Sequence, residues 1–427
     1  MLSPGSELTV IIEKPAAGGR MIARHEGQVL LIDQAIPGER LRVRVSRVQK
    51  TLAYAEPVEI LDASPDRRDP GPDWTCGGCA FAHVAYTRQP SLKGEILRDA
   101  LARIGGVQLD GPIPVAPSPQ DTGYRLRARL HVRGRRIGFF REGTHELCDA
   151  AGTRQLLPST LASLASLEHA LGRVQAGSVT DIDLAENVEA TDRAVHLGLA
   201  AGAPPLPADA FDTVEGVTGL SWSGAGSHGS REGGQPFVTD SLPVGGSGAT
   251  VHLRHHVQSF FQSNRYLLPH FLGRVADRVP PGRVLDLYAG VGLFAAALAA
   301  TGDREVVAVE GDRHSAADLA VNAASYPATL ETAHSPVEVF LADVDDAAAG
   351  QATVLVDPPR TGLSPEALKG ILRIRPAHLV YVSCDVATLA RDVKTVIAAG
   401  YGVAHVEAFD LFPNTAHVES LIVMEVN

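Results

Sequence analysis

VLDLYAGVGLF, residues 284–294, decides the fold of this chain: an apolar run carries an acid to its end and breaks into a turn holding Gly290 and Gly292. A backbone without Cβ at such a turn lets a ligand approach closely at the carboxyl edge of a sheet. A dinucleotide fingerprint needs a third glycine at fixed spacing, and this loop continues instead with Leu293. Working outward, VVAVEGD, TVLVDPPR, HLVYVSCD, VAHVEAFD and SLIVMEV repeat the apolar run, with helical stretches between them. Strands alternating with helices predict a mostly parallel sheet covered on both faces. The last two runs are joined too closely for a crossover helix, so they should end the sheet as an antiparallel hairpin. That ending favours a methyltransferase over a dehydrogenase.

The ends of these runs carry the chemistry. Glu310 follows the glycine turn by about 20 residues, the place for a carboxylate that holds ribose hydroxyls. DPPR, residues 357–360, fixes Asp357 with two prolines at the sheet edge. Cys384 ends HLVYVSC, and FDLFPNTAHVES brings His417 and Glu419 to the same edge. A lone cysteine is ordinarily a small buried hydrophobe. Beside a carboxylate at a ligand-binding edge it suits another task. The C5 carbon of uracil becomes nucleophilic only when a group adds at C6; a thiolate does this, and a base then removes the C5 proton. Cys384 and Glu419 fit those two roles. Methylation of an exocyclic amine or a ribose oxygen needs no such thiol.

Upstream, residues 5–61 alternate apolar and polar positions between Gly and Pro turns, which predicts a small antiparallel barrel. YRLRARLHVRGRRIGFFREG follows from Tyr124, and residues 121–141 hold seven arginines against the one acid Asp121, a local charge of +6. Arg125, Arg127 and Arg129 share one face of a strand period and are candidate RNA contacts. The Gly/Ser-rich stretch over 222–248 is expected to be a flexible loop. These features divide the chain into a barrel at 1–62, a central unit at 63–250 and a catalytic unit at 251–427.

A chain of 427 residues is long enough for two or three cores. No apolar run nears the roughly 18 to 20 residues of a membrane span, and no secretion signal opens the chain, so a soluble, cytoplasmic protein without a membrane partner is expected. The formal charge of -11 excludes a protein that coats nucleic acid indiscriminately and confines RNA contact to local patches. Four cysteines make no disulfide framework, and a metal or cluster remnant is expected before a bridge.

With these motifs in hand, the chain resembles the RNA 5-methyluridine methyltransferase family, in particular the bacterial 23S rRNA uracil-5-methyltransferases with an N-terminal TRAM domain. IEKPAAGGRMIAR and AIPGERLRVRV look like TRAM; SFFQSN, DLYAGVGLF, DPPRTG, VYVSCD and FPNTAHVES look like successive catalytic motifs. The resemblance implies a Rossmann-like class I methyltransferase domain with a mostly parallel seven-stranded sheet and terminal antiparallel hairpin. To this it adds a TRAM/OB-like barrel and a central α+β RNA-binding domain. It implies S-adenosyl-L-methionine held by Gln262, Tyr288, Gly290, Glu310 and Asp357, with Cys384 as nucleophile and Glu419 as proton acceptor. The implied partner is RNA, 23S rRNA first, with no obligate protein partner indicated.

Two positions depart from the family. Relatives holding an iron-sulfur cluster use C-x5-CGGC and a fourth cysteine downstream. Here Cys76 and Cys79 remain, Pro70 stands at the first ligand, Arg154 replaces the last, and Cys148 lies six residues away. An absent cluster is the expectation. Leu293 stands where relatives often have a polar residue. The alternatives are a methyltransferase acting on tRNA or on another atom, and a noncatalytic RNA-binding assembly factor.

Overall fold

The computed structural model describes residues 2–71, 73–224, 227–230, 234–345 and 351–426. The barrel consists of β1 (Glu7–Ile11), β2 (Lys14–Pro15), β3 (Met21–His25), β4 (Gln28–Ile32), β5 (Arg40–Val48) and β6 (Leu52–Asp62). Its order is β1-β5-β6-β4-β3-β2, antiparallel except that β4 runs parallel to β6. The expectation of a purely antiparallel barrel therefore fails at one pair, because the chain between Ile32 and Leu52 returns through β5 instead of a tight hairpin. Alternation sets β5: Leu41, Val43 and Val45 point into the core, and Arg40, Arg42 and Arg44 point out. Those three arginines pair with Asp62, Glu59 and Glu7, so the barrel's cationic row is locally neutralised.

Helix α1 (Gln89–Ala100) and β7 (Val115–Ala116) follow, then β8 (Arg127–Arg133), β9 (Arg136–Phe140), β10 (Leu147–Asp149), α2 (Pro158–Leu171), β11 (Val179–Glu186), β12 (Arg193–Leu199), β13 (Gly219–Gly224) and β14 (Ser227–Ser230). β8 to β14 form the central sheet in the order β10-β9-β8-β11-β12-β13-β14. β15 (Phe237–Pro243) and β16 (Thr250–His256) make a separate antiparallel pair. The stretch over 222–248 is thus not simply a loop. Strand β13 reaches Gly224, and β14 and β15 add ladder hydrogen bonds, so backbone pairing supplies order that the Gly/Ser composition hides. Residues 225, 226 and 231–233 lie outside the described ones.

The catalytic sheet is built from α3 (Leu268–Arg278), β17 (Gly282–Leu287), α4 (Leu293–Ala300), β18 (Arg304–Glu310), α5 (Arg313–Ala323), β19 (Leu330–His334), α6 (Val337–Asp343), β20 (Thr353–Val356), α7 (Pro365–Ile374), β21 (His378–Ser383), α8 (Val386–Ala398), β22 (Tyr401–Phe409) and β23 (Glu419–Val426). Its order is β19-β18-β17-β20-β21-β23-β22, with β23 antiparallel to both neighbours. β7 adds an eighth strand parallel to β22. The sheet gains that strand from upstream because α1 packs against the catalytic core through Leu92, Ile96 and Leu97 and leaves the following chain along the β22 edge. The strand order reverses between β17 and β20, the switch point at which ligands bind in open α/β sheets. No helix among the described residues is long and apolar enough to cross a membrane.

Candidate active site

The turn after β17 forms one wall of the switch point. Tyr288 adopts φ 64, a strained conformation for a residue with a Cβ, and the chain turns on through Gly290 at φ 57. A Cβ built on Gly290 would meet nothing nearer than the Phe260 carbonyl oxygen at 3.9 Å, so the space above the turn is open. Gly292, at φ 89, begins α4, and a Cβ there would meet Leu319 Cδ1 at 2.7 Å. The Glu310 carboxylate reaches this turn and accepts the Gly290 N–H at 2.7 Å and the Asp312 N–H at 2.6 Å. Gln262 Nε2 donates to Asp357 Oδ2 at 3.2 Å across the switch point. Gln262, Tyr288, Gly290, Leu293 and Asp357 line one pocket, and Glu310 stands behind its glycine turn. Leu293, the departure from the family pattern, is buried in the pocket wall.

The chemistry of this wall fits S-adenosylmethionine, a cationic ligand with a diol. Asp286 is wholly buried and neither carboxylate oxygen has a hydrogen-bond partner. Burial, then Asp357 and Glu310, raises its carboxyl well above the usual range. Burial also lifts Asp357 to about 7, against the pull of its Gln262 hydrogen bond. Crowded acids held partly protonated are completed by a positive ligand. Residues Asp357 and Gln262 would face its charged centre, and Glu310 its hydroxyls.

Cys384 and Glu419 meet at adjacent strand ends. The antiparallel register pairs Ser383, the last residue of β21, with Ser420, so Cys384 just after that pair and Glu419 just before it lie at the same sheet edge, near enough for the Glu419 charge to act on the thiol. Asp385 then caps α8, accepting the Ala387 and Thr388 N–H groups, and this fixes Cys384 at a helix N-terminus, where a thiolate is favoured. Burial nevertheless pushes the thiol up to about 12, helped by Glu419 and Asp357 and opposed by the Arg360 guanidinium. Glu419 is also raised, by burial and then by Asp357, again opposed by Arg360. His417 is neutral at pH 7, pushed down to about 4 by burial and by Arg360. Arg360 is the site residue that sequence reasoning passed over, although DPPR contains it. Phe260, 61% exposed at the pocket beside Gln262, is the other, and SFFQSN contained its signal.

Cys384 opens into a cleft of about 320 Å³ whose other walls come from the barrel loop at Gly18, the Gly77–Gly78 turn, Glu142 and the loop at Thr415 to Val418. All three parts of the chain thus border the thiol. A larger groove of about 690 Å³ lies between α7 and α8, away from every candidate residue. Its acid, Asp392, is already bonded to Tyr381 and to the Leu363 N–H.

The cysteines near this cleft differ from expectation. Cys76 and Cys148 are joined in a disulfide instead of standing as separate remnants. Strand pairing explains it: β10 sets Cys148 opposite Phe139, Cys76 bridges to Arg141, and the two Cα atoms come within 5.7 Å. Cys79 stays a buried thiol, pushed up to about 11 by burial and Asp73 and opposed by Arg154, whose guanidinium reaches Gly71. A four-thiolate cluster does not fit this arrangement. Among the described residues no group of three or more His, Cys, Asp or Glu side chains is placed to hold a metal ion.

The three arginines of the row have different surroundings. Arg125 donates to the Arg127 carbonyl at 2.7 Å and to Gln155 Oε1 at 2.5 Å, and Arg127 donates to the Val257 carbonyl at 2.7 Å. Their guanidinium groups tie the central sheet to its neighbours, and burial lowers the affinity of both for their protons. Only Arg129 of the three presents its charge to solvent, with Asp181 3.9 Å away.

Comparison with known proteins places this geometry. Residues 232–427 match the tRNA (Uracil-5-)-methyltransferase family and residues 2–58 the TRAM domain. The chain is 32% identical to the 23S rRNA (uracil(1939)-C(5))-methyltransferase RlmD of Pseudomonas putida, over 99% of this chain and 94% of that one. It is 31% identical to RlmD of Pectobacterium atrosepticum, over 98% and 93% of the two chains. The crystal structure of Pyrococcus abyssi tRNA (uracil-54, C5)-methyltransferase in complex with S-adenosyl-L-homocysteine matches with TM-score 0.75 and 25% identity, covering 97% of this chain and 99% of that one.

Proposed function

The chain belongs to the RNA (uracil-5-)-methyltransferase family, and on that premise we propose that it methylates C5 of a uridine in 23S rRNA in the cytoplasm, with Cys384 as nucleophile and Glu419 as proton acceptor. What supports the reading is the β21–β23 register, which brings Cys384 and Glu419 to one sheet edge where Asp357 acts on both. S-adenosylmethionine, when bound, supplies an electrophilic methyl group on a sulfonium. Gln262, Tyr288, Gly290, Glu310 and Asp357 would hold and orient it. Cys384 gives its thiol proton to water in the cleft, favoured by Arg360 and the α8 N-terminus, and its sulfur bonds to C6 as the C5=C6 π bond breaks and its electron pair moves onto C5 and O4, which makes C5 nucleophilic. After C5 has taken the methyl group, the Glu419 carboxylate accepts the C5 proton, the C6–S bond breaks and the thiolate leaves. The uridine must leave its stack to reach the thiol, and the cleft beside Cys384 takes it. Residues 1–62 and 63–250 supply RNA contacts around residues 251–427, with α1 and β7 packed on the catalytic sheet.

The RlmD relatives favour ribosomal RNA, and the Pyrococcus abyssi structure favours tRNA as the second reading. Incubation with S-adenosylmethionine and unmodified 23S rRNA or tRNA transcripts, followed by nucleoside analysis, separates them. We expect 5-methyluridine in 23S rRNA and none in tRNA. The modification in tRNA alone would transfer the proposal to that substrate, and a methyl group on nitrogen or ribose would overturn it.

A further inference from the structure

The outward face of the β8–β9 hairpin carries rings and cations that the reaction at Cys384 does not use. Alternation along β8 buries Leu130 and Val132 in the central core and leaves Arg129, His131 and Arg133 on the other face. The His131 ring lies flat on Phe140, with centroids 3.6 Å apart and planes 3° from parallel. Its orientation is fixed by a 2.8 Å hydrogen bond between Nδ1 and Asp181 Oδ1. The Arg133 guanidinium sits 5.1 Å from the Phe140 centroid, and His145 meets that ring edge-on at 5.3 Å. Neither His131 nor Phe140 belongs to the hydrophobic core of the sheet. An oriented aromatic pair on the outer face, with the Arg133 guanidinium beside it, therefore stands apart from that core.

Its position gives it a use. The Phe140 carbonyl accepts the Gly77 N–H at 3.0 Å. Glu142, two residues further on, lines the cleft with Gly77, Gly78 and Cys384. Two residues span at most about 7 Å, so the Phe140 backbone, bonded to Gly77, lies close to the cleft lining. A uridine that leaves its stack to reach Cys384 deprives its neighbours of a stacking partner, and planar rings replace it at any base because every base has a π-face. Arg129 and Arg133 supply charge for the adjoining phosphates. The segment 121–141 carries a local charge of +6 in a chain of net -11, and the acids Asp181 and Asp183 offset part of it on this face.

We propose that His131 and Phe140, flanked by Arg129 and Arg133, form a stacking site for an unpaired base neighbouring the target uridine. The proposal rests on the reading that the chain methylates RNA.

The test places 2-aminopurine at each position flanking the modified uridine of a 23S rRNA fragment and compares wild type with Phe140→Leu and Phe140→Tyr. Leucine keeps apolar volume without a ring; tyrosine keeps the ring. Wild type and Phe140→Tyr should quench the probe at one flanking position. Phe140→Leu should lose that quenching and raise KM for RNA about 10-fold, with kcat at saturating RNA and S-adenosylmethionine affinity unchanged. Arg133→Gln should lower the slope of log affinity against log salt by about 1. Unchanged quenching and KM in Phe140→Leu, with methylation intact, would overturn the stacking site and leave the RNA reading standing. Absence of methylation by the wild-type protein would overturn the RNA reading and this site with it.

Discussion

At the scale of the residue, the site is a group of acids around one thiol, tempered by one arginine. Cys384 is pushed up to about 12 by burial and by the carboxylates of Glu419 and Asp357, and Arg360 pulls against them. The Arg360→Gln variant should therefore slow alkylation of Cys384 by iodoacetamide and lower kcat about 10²-fold, the scale on which one preorganised electrostatic group acts. Alkylation at the wild-type rate would remove Arg360 from the mechanism. Asp357 gives a pH dependence of definite sign. Its carboxyl titrates near 7 in the folded chain and near about 4 in an unfolded one. Between those values the folded chain holds a proton that the unfolded chain has released. The resulting stability is full below about pH 4 and is lost as the pH rises through about 7. Asp357→Asn should raise Tm at pH 8 and flatten the fall between pH 4 and 7. Asp286 and Glu419, raised in the same direction, leave a residual slope. A variant as pH-dependent as wild type, with no gain at pH 8, would show that Asp357 is not held protonated.

At the scale of the element, two loops do most of the positioning, and they were legible to different degrees. The turn after β17 could be read because Gly290, Gly292 and the acid at Glu310 stand at spacings that suit an adenosine-bearing ligand. The loop from Asp410 to Val418, which delivers Glu419, could be read only as a motif. Its shape is set by partners over 300 residues away. Lys93 of α1 donates to Asp410 Oδ1 at 2.5 Å and to the Phe412 carbonyl at 2.9 Å, with both charged groups wholly buried. Gln89 Nε2 and Arg68 donate to Asn414 Oδ1 at 3.0 and 2.5 Å, and Asn414 sits at φ 65. No local pattern announces such contacts, since they arise from tertiary packing of α1. Removing one member of a buried pair strands the other charge, at a cost of about 3–5 kcal/mol, whereas removing both is often neutral. Lys93→Met should lower Tm sharply, and Lys93→Met with Asp410→Leu should restore much of it. Equal losses in both variants would argue that packing, and not charge pairing, joins α1 to the loop.

At the scale of the whole molecule, three units converge on one cleft, with Gly18 of the barrel and the Gly77–Gly78 turn beside Cys384. Composition and strand alternation were enough to separate barrel from catalytic sheet, because each has its own period. They could not show that α1 and β7 join the catalytic sheet, since a two-residue strand carries no period at all. The surroundings of the arginine row were hidden for a related reason. Period 2 assigns Arg125, Arg127 and Arg129 to one face, but Gln155 and the Val257 carbonyl, which bond the first two, come from distant segments. The disulfide was hidden in the same way, by strand pairing across a separation of 72 residues.

On the proposed mechanism Cys384 adds to uracil C6 before C5 is methylated. That addition is tested most directly with 5-fluorouridine-substituted 23S rRNA and S-adenosylmethionine, resolved by denaturing electrophoresis and mass spectrometry for wild type and Cys384→Ala. Fluorine at C5 cannot leave as a proton does, so the account requires a methylated covalent protein–RNA adduct in wild type and none in Cys384→Ala. Methyl transfer to ordinary RNA without any adduct on the fluorinated substrate would contradict it and make Cys384 a structural residue.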